Sequence, residues 1–119
     1  MTTFVPDSGR LLQAAVDYLE TELLPTQDGY HRFHLRVCIN VLRIVARELA
    51  QGAALEEGER QRLVQLLGRA GPLAELNAEL EERIARGELP LETPGLAEHL
   101  QATLRDALAI DNPSWIGTP

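Results

Sequence analysis

The residues best able to do chemistry lie close together, between positions 30 and 51. When this segment is projected as a helix, at about 100° per residue, most of its polar side chains fall into one narrow sector. We call this sector the arginine edge; it contains Arg32, Arg36, Asn40, Arg43 and Arg47.

Two interpretations of the arginine edge stay open. Arginine binds phosphate and carboxylate groups in a bidentate manner, which favours a binding site for an anionic ligand such as an acyl-CoA or a phosphorylated metabolite. Alternatively, the edge faces solvent, or its arginines pair with glutamates of an acidic helix further along the chain. The second interpretation requires no function.

Two other polar residues, His34 and Glu48, fall within the apolar arc of the same helix. A buried ionisable group needs a hydrogen-bonding partner or loses its charge, so we expect partners from elsewhere in the chain. An enzyme that uses the two as acid and base is disfavoured, because they lie nearly four turns apart.

Other catalytic and metal-binding chemistry is weakly supported. His31 and His34 are three residues apart and His99 is a conceivable third ligand, but no HExxH motif or cysteine pair accompanies them. Cys38 lies in the middle of the apolar arc and is predicted to be a small core residue. We therefore predict no catalytic residue, no metal and no cofactor.

These residues must be positioned by helices. Capping residues, proline, glycine and apolar periodicity predict five helical segments. They cover about residues 8–24, 30–51 (ended by Gly52) and 55–67, one from Pro72 to Gly87, and one announced by Thr93-Pro94 that ends before Asn112.

Apolar residues cover well over half the circumference of the 30–51 segment, and such a helix is normally surrounded by partners. The predicted fold is therefore an all-α, compact bundle of four to five helices around a central apolar helix (about 30–51). The chain, residues 1–119, is expected to form a single helical domain. A strip left uncovered on the central helix would suggest a homodimer.

Composition narrows the setting of the protein. The net charge of -7 disfavours binding to nucleic acid or to an anionic membrane. One cysteine cannot form an internal disulfide, and the N-terminal residues lack the pattern of a signal peptide. A cytoplasmic location is expected.

The stretch Arg32-Phe33-His34-Leu35-Arg36-Val37-Cys38-Ile39-Asn40-Val41-Leu42, which continues through Ile44-Val45-Ala46-Arg47-Glu48-Leu49, resembles a family signature. The family comprises short, all-helical bacterial proteins of unknown function, encoded beside acyl-CoA dehydrogenases and aminoglycoside-phosphotransferase-like kinases. Asp111-Asn112-Pro113 and Leu23-Leu24-Pro25 also fit it. The matching motif positions here are Phe33, His34, Arg36, Asn40, Arg47, Glu48, Asp111 and Pro113.

The sequence departs from this pattern at three positions. Cys38 stands where alanine is usual, Trp115 stands where tyrosine is usual, and Ala107 replaces a basic residue often found before the Asp-Asn-Pro turn. The last difference weakens any assignment of that turn to a cationic site.

The resemblance implies a context rather than a reaction. It suggests a non-catalytic accessory or interaction module that acts with a phosphotransferase-like kinase or an acyl-CoA dehydrogenase. It also adds Asp111 to His34 and Glu48 as a polar network or site.

Overall fold

A computed structural model of the chain describes residues 7–116. Within them lie four α-helices, which we number α1 (Ser8–Tyr18), α2 (Gly29–Leu67), α3 (Leu73–Ala85) and α4 (Leu96–Asp111). Short π- and 3-10-helical turns occupy Leu19–Leu23, Leu24–Thr26 and Pro113–Trp115. No strand occurs between residues 7 and 116. The predictions of an all-α fold and of four to five helices are confirmed.

Contacts within the chain cluster into two compact units, Met1–Gly52 and Ala53–Pro119. The division falls inside α2, so each unit contains part of that helix. Packing is described below for each unit separately. The single domain expected from chain length stays a prediction, which one cooperative unfolding transition would support.

In the first unit, α1 begins where the sequence predicts. The Asp7 carboxylate accepts the backbone N–H of Arg10 at 2.8 Å and so caps the helix. After α1 the chain continues through a π turn and a 3-10 turn that contains Pro25, so the helical path ends at Thr26 rather than at residue 24. Val16 and Ile39 are buried, with 1% and 3% of their surface exposed.

The α2 helix is much longer than predicted, and the expected break at Gly52 is wrong. Its 39 residues join the two predicted segments 30–51 and 55–67 into one helix. An interior glycine costs about 1 kcal/mol relative to alanine, which neighbouring helix formers such as Ala50, Ala53 and Ala54 offset. The helix ends before Gly68, whose φ of 73° lies in the left-handed region that favours glycine.

The prediction that residues 30–51 form a buried central helix is also wrong. Much of the apolar arc is exposed, and Ile39 is the one fully buried side chain described between positions 30 and 51. A helical projection shows which residues share a side, but not how many helices cover that side. Among the described residues of the first unit, only α1 and the turns after it are available to pack against this half of α2.

The second unit holds the main apolar core, built from the C-terminal part of α2 with α3, α4 and the loop between them. Its buried side chains are Leu63, Leu76, Leu80, Leu89 and Leu96. Asn77 on α3 donates to the Glu59 carboxylate on α2 at 3.0 Å and ties these two helices together.

The helix ends in the second unit follow the predicted breakers closely. The α3 helix begins after Pro72 and is closed by Gly87, whose φ is 74°. The α4 helix begins at Leu96, two residues beyond Thr93-Pro94, because Gly95 adopts a φ of 87° as its N-cap. It ends before Asn112, as predicted. Among residues 7–116, no helix combines the length and apolar character needed to cross a membrane.

Candidate interaction surface

The N-terminal part of the arginine edge holds the turn that precedes α2. One terminal nitrogen of Arg32 donates to the Leu24 carbonyl at 3.0 Å and to the Gln27 carbonyl at 3.4 Å. The Leu24 carbonyl also accepts the backbone N–H of Gln27 at 3.1 Å, so the guanidinium is its second hydrogen-bond donor. Arg32 therefore has a structural role in joining α2 to the preceding turn.

Further along the edge, Arg43 also faces the first segment of the chain. Its guanidinium contacts the Glu20 carboxylate at 2.6 Å, and both side chains are 40% exposed. For Arg43, the sequence interpretation of pairing with the acidic helix later in the chain is therefore wrong. Arg47 is half-buried and has an interaction of its own, while Arg36 and Asn40 are exposed.

A small cavity of about 200 Å³ lies at the start of the arginine edge, lined by Gly29, Arg32, Phe33 and Arg36. It is the feature in this region that resembles the predicted anion site. Only two of the five predicted ligand-binding residues, Arg32 and Arg36, line it. The assignment of these residues to ligand binding stays a prediction.

His34 and Glu48 are not embedded in a core, which corrects the expectation from the sequence. Both are exposed on α2. The His34 ring packs against Tyr30, with ring centroids 4.1 Å apart, and meets the Phe33 ring edge-on at 5.2 Å. Asp111 belongs to the second unit, at the end of α4, and has an interaction of its own.

Cys38 is an exposed free thiol, so its prediction as a core residue is wrong. It lines a cavity of about 410 Å³ together with Leu23, Gln27, His31, His34 and Leu35. Within residues 7–116, no three His, Cys, Asp or Glu side chains are arranged to hold a metal ion.

An exposed apolar stripe runs along α2 in the first unit. Five of its residues recur at intervals of four, which places each about one turn beyond the last. With Tyr30, which is 71% exposed, they form what we call the α2 stripe. The five are Phe33 (63% exposed), Val37 (46%), Val41 (50%), Val45 (41%) and Leu49 (57%).

The sequence interpretation of the two sides of α2 is wrong in part. Arg32 and Arg43 on the polar side contact the segment before α2. On the apolar side Ile39 is buried, whereas the α2 stripe is exposed to solvent. Most of a folded protein's exposed apolar side chains are scattered singly, but a row of six on one helix marks an interaction surface. This surface is the strongest functional candidate in the first unit.

The second unit contains a polar network that the sequence analysis did not single out. Its centre is Arg62 on α2, which donates through Nε to His99 Nδ1 at 3.0 Å. A second guanidinium nitrogen lies 3.3 Å from the Thr103 hydroxyl and 3.4 Å from the Asp106 carboxylate. The arginine thus joins α2 to three residues of α4.

His99 is 3% exposed, and its pKa is held below the usual range by burial and by the nearby positive charge of Arg62. Because Nδ1 accepts a hydrogen bond, the neutral ring carries its proton on Nε2. Arg62 and His99 also line a cavity of about 570 Å³ beside Gly95 and Glu98.

A signal for this network does exist in the sequence. His99, Thr103 and Asp106 are spaced i, i+4 and i+7, so they share one side of α4. What the sequence does not show is that Arg62, 37 residues before His99, faces them. The network satisfies its buried polar atoms internally, which is the behaviour of a structural element.

The fold is therefore all-helical, with one exposed apolar stripe and one internal polar network. The chain belongs to the family described as a domain of unknown function (DUF6285), which matches residues 25–115. No curated protein and no solved structure shows significant similarity to it.

Proposed function

We propose that the protein is a non-catalytic accessory module that acts by binding other proteins. The observation that carries this proposal is the exposed α2 stripe. The resemblance found in the sequence suggests a phosphotransferase-like kinase or an acyl-CoA dehydrogenase as the partner enzyme.

The physical basis of the proposal is the apolar area that the stripe exposes. Burial of such area contributes about 25 cal/mol per Å², and monomeric proteins seldom expose a contiguous apolar patch above a few hundred Å². Two aromatic residues, Tyr30 and Phe33, lie at one end of the stripe. Aromatic residues are enriched in protein interfaces, where they supply a large contact area.

The proposed setting is the reducing cytoplasm of a bacterial cell. The exposed free thiol of Cys38 suits that environment, because it would be open to oxidation or disulfide exchange elsewhere. With a net charge of -7, the chain favours partners that present a basic rim. Fractionation of the source cells would test the location, and recovery in the membrane or outside the cell would contradict it.

Co-expression tests the proposal. A tagged copy of the chain is expressed with each enzyme encoded beside its gene, and the association is measured by affinity purification. We expect at least one complex to form at micromolar concentration. Failure of the intact chain to bind any of these enzymes would refute the proposed partner class.

Variants then locate the surface. Val41→Arg puts a charge in the middle of the α2 stripe, whereas Leu11→Arg makes the same change at an exposed position of α1, where 53% of the leucine is accessible. Any oligomerisation or partner binding that depends on the stripe is lost in the first variant and kept in the second. Equal effects of the two changes would remove the stripe from the explanation.

A second candidate function is the binding of an anionic small molecule, and the cavity beside Arg32 and Arg36 favours it. The carbonyl contacts of Arg32 hold that guanidinium in place, which lowers the entropy lost on binding. A thermal-shift screen of CoA esters and phosphates tests it. We expect stabilisation that Arg36→Ala abolishes; no stabilisation by any of these compounds would rule this function out.

A further inference from the structure

We infer that the α2 stripe binds a second copy of the chain, so that two α2 helices pack antiparallel about a twofold axis at Val41. This inference rests on the proposed function, because it names the first occupant of the same surface. A partner enzyme would then bind the same stripe in competition with the second copy.

The spacing of the stripe is symmetric about its middle residue. Val37 and Val45 each lie four residues from Val41. In an antiparallel pair with a twofold axis at Val41, a residue on one copy faces the residue at the same distance on the other side of Val41 in the second copy. Val41 then meets Val41, and Val37 meets Val45.

The two polar residues on the same side of the helix obey the same symmetry. His34 and Glu48 each lie seven residues from Val41, or about 10.5 Å along the helix axis. In the antiparallel pair, His34 of one copy therefore faces Glu48 of the other, and this contact occurs twice. The arrangement explains why an otherwise apolar surface carries these two polar side chains.

Charge favours this orientation over the parallel one. A parallel pair would place His34 against His34 and Glu48 against Glu48, so that two carboxylates would face each other across the seam. Polar residues in a helical seam are known to select register and orientation in this way. Within residues 7–116, the Glu48 carboxylate makes no hydrogen bond or ion pair, so it is available to a second copy.

The area of the stripe is consistent with a dimer. At the exposures observed, each of its six side chains presents on the order of 100 Å². Because each step of four residues turns about 40° around the axis, Phe33 and Leu49 flank the seam, so roughly 1,200 Å² is the upper limit of what two copies together would bury. That value lies at the lower end of the range for stable interfaces. We therefore expect a concentration-dependent equilibrium between monomer and dimer.

Sedimentation equilibrium of the full chain measures this equilibrium. We expect a species of twice the 13.2 kDa chain mass at the highest concentrations. Val41→Arg places two like charges together on the twofold axis and is expected to give a monomer. Leu11→Arg is expected to dimerise like the natural chain, and far-UV circular dichroism confirms that both variants are folded.

A charge-exchange experiment tests the antiparallel register. His34→Glu puts two carboxylates opposite each other, and Glu48→His puts two imidazoles opposite each other. We expect the carboxylate pair to weaken dimerisation about tenfold near neutral pH, because two like charges then face each other across the seam. The double variant restores the pair with its members exchanged and should recover most of the affinity. Failure of the double variant to recover would refute the register. A parallel pair would also recover in the double variant, so Glu48→His alone decides the orientation. It removes the His34–Glu48 contact of the antiparallel pair and should weaken dimerisation, whereas tighter dimerisation, caused by the loss of a Glu48–Glu48 repulsion, would show a parallel pair and overturn the inference.

The outcomes separate this inference from the proposed function. A chain that stays monomeric but binds a partner enzyme in a Val41-dependent manner overturns the inference and keeps the function. A dimer that Val41→Arg does not dissociate also overturns the inference, since another surface must hold it. A monomer that binds no partner enzyme overturns both.

Discussion

The continuity of α2 through Gly52 makes a prediction with a definite sign. In the structure Gly52 is an interior residue of a helix, so Gly52→Ala should stabilise the protein by about 1 kcal/mol. If Gly52 instead ended a helix in the left-handed conformation, as the sequence alone suggests, the same change would destabilise it. One substitution therefore distinguishes the two structures.

The space around Gly52 permits the substitution. A Cβ added there would meet the Cγ atom of Glu48 at 3.5 Å, which is an ordinary van der Waals contact. At Gly58 the nearest atom is a guanidinium nitrogen of Arg62 at 3.7 Å. The two glycines are about 9 Å apart along the axis, so their effects should add to about 2 kcal/mol in the double variant.

Urea denaturation at one fixed protein concentration measures the effect. With a slope near 2 kcal/mol per molar, Gly52→Ala should raise the midpoint by about 0.5 M. Gly68→Ala is the matched control, because no atom lies within 4 Å of its Cβ but its φ of 73° strains any other residue. Gly68→Ala should lower the free energy of unfolding by about 1–2 kcal/mol. A lowered midpoint for Gly52→Ala would refute a continuous α2.

Three further predictions concern the apolar core, the buried histidine His99 and the Arg43–Glu20 ion pair. Leu63→Ala should lower the free energy of unfolding by about 2–5 kcal/mol in urea denaturation, because this side chain is fully buried; a loss below 1 kcal/mol would contradict the core. Because the pKa of His99 is lower in the folded chain than in the unfolded chain, the unfolded chain binds this proton at a higher pH. The contribution of His99 to the free energy of unfolding is therefore complete above about pH 6.5 and should be lost as the pH falls towards the pKa of His99 in the folded chain. His99→Asn keeps an acceptor for Arg62 and should flatten this part of the pH–stability curve, and an unchanged curve would show that His99 does not cause it. The Arg43–Glu20 pair is 40% exposed on each side, so a double-mutant cycle with alanine should give about 0.2–1 kcal/mol, reduced by salt; a coupling above 2 kcal/mol would refute this account of an exposed pair.

Several helix boundaries could be predicted because they depend on local chemistry. The start of α1 at Ser8, the start of α3 after Pro72 and the end of α4 before Asn112 each follow from side-chain or backbone properties of a few neighbouring residues. Gly52 was misassigned for a related reason. Glycine is common after helices but is also tolerated inside them, and the local sequence does not distinguish the two cases.

The candidate surface could be predicted only in part. The helical projection correctly grouped the arginines on one side of the 30–51 segment and the apolar residues on the other, because that grouping depends only on the period of the helix. The projection carries no information about what packs against each side. For that reason it assigned His34, Glu48 and Cys38 to a core, whereas all three are exposed.

The sequence by itself determined that this protein is all-helical, where most of its helices begin and end, and which side chains of α2 lie together. These properties follow from capping chemistry and periodicity, which act over a few residues. Only the tertiary structure decided that Arg62 meets His99, and that the α2 stripe is exposed. Both depend on packing between distant segments, which sets whether an apolar row becomes a core or a surface for a second chain.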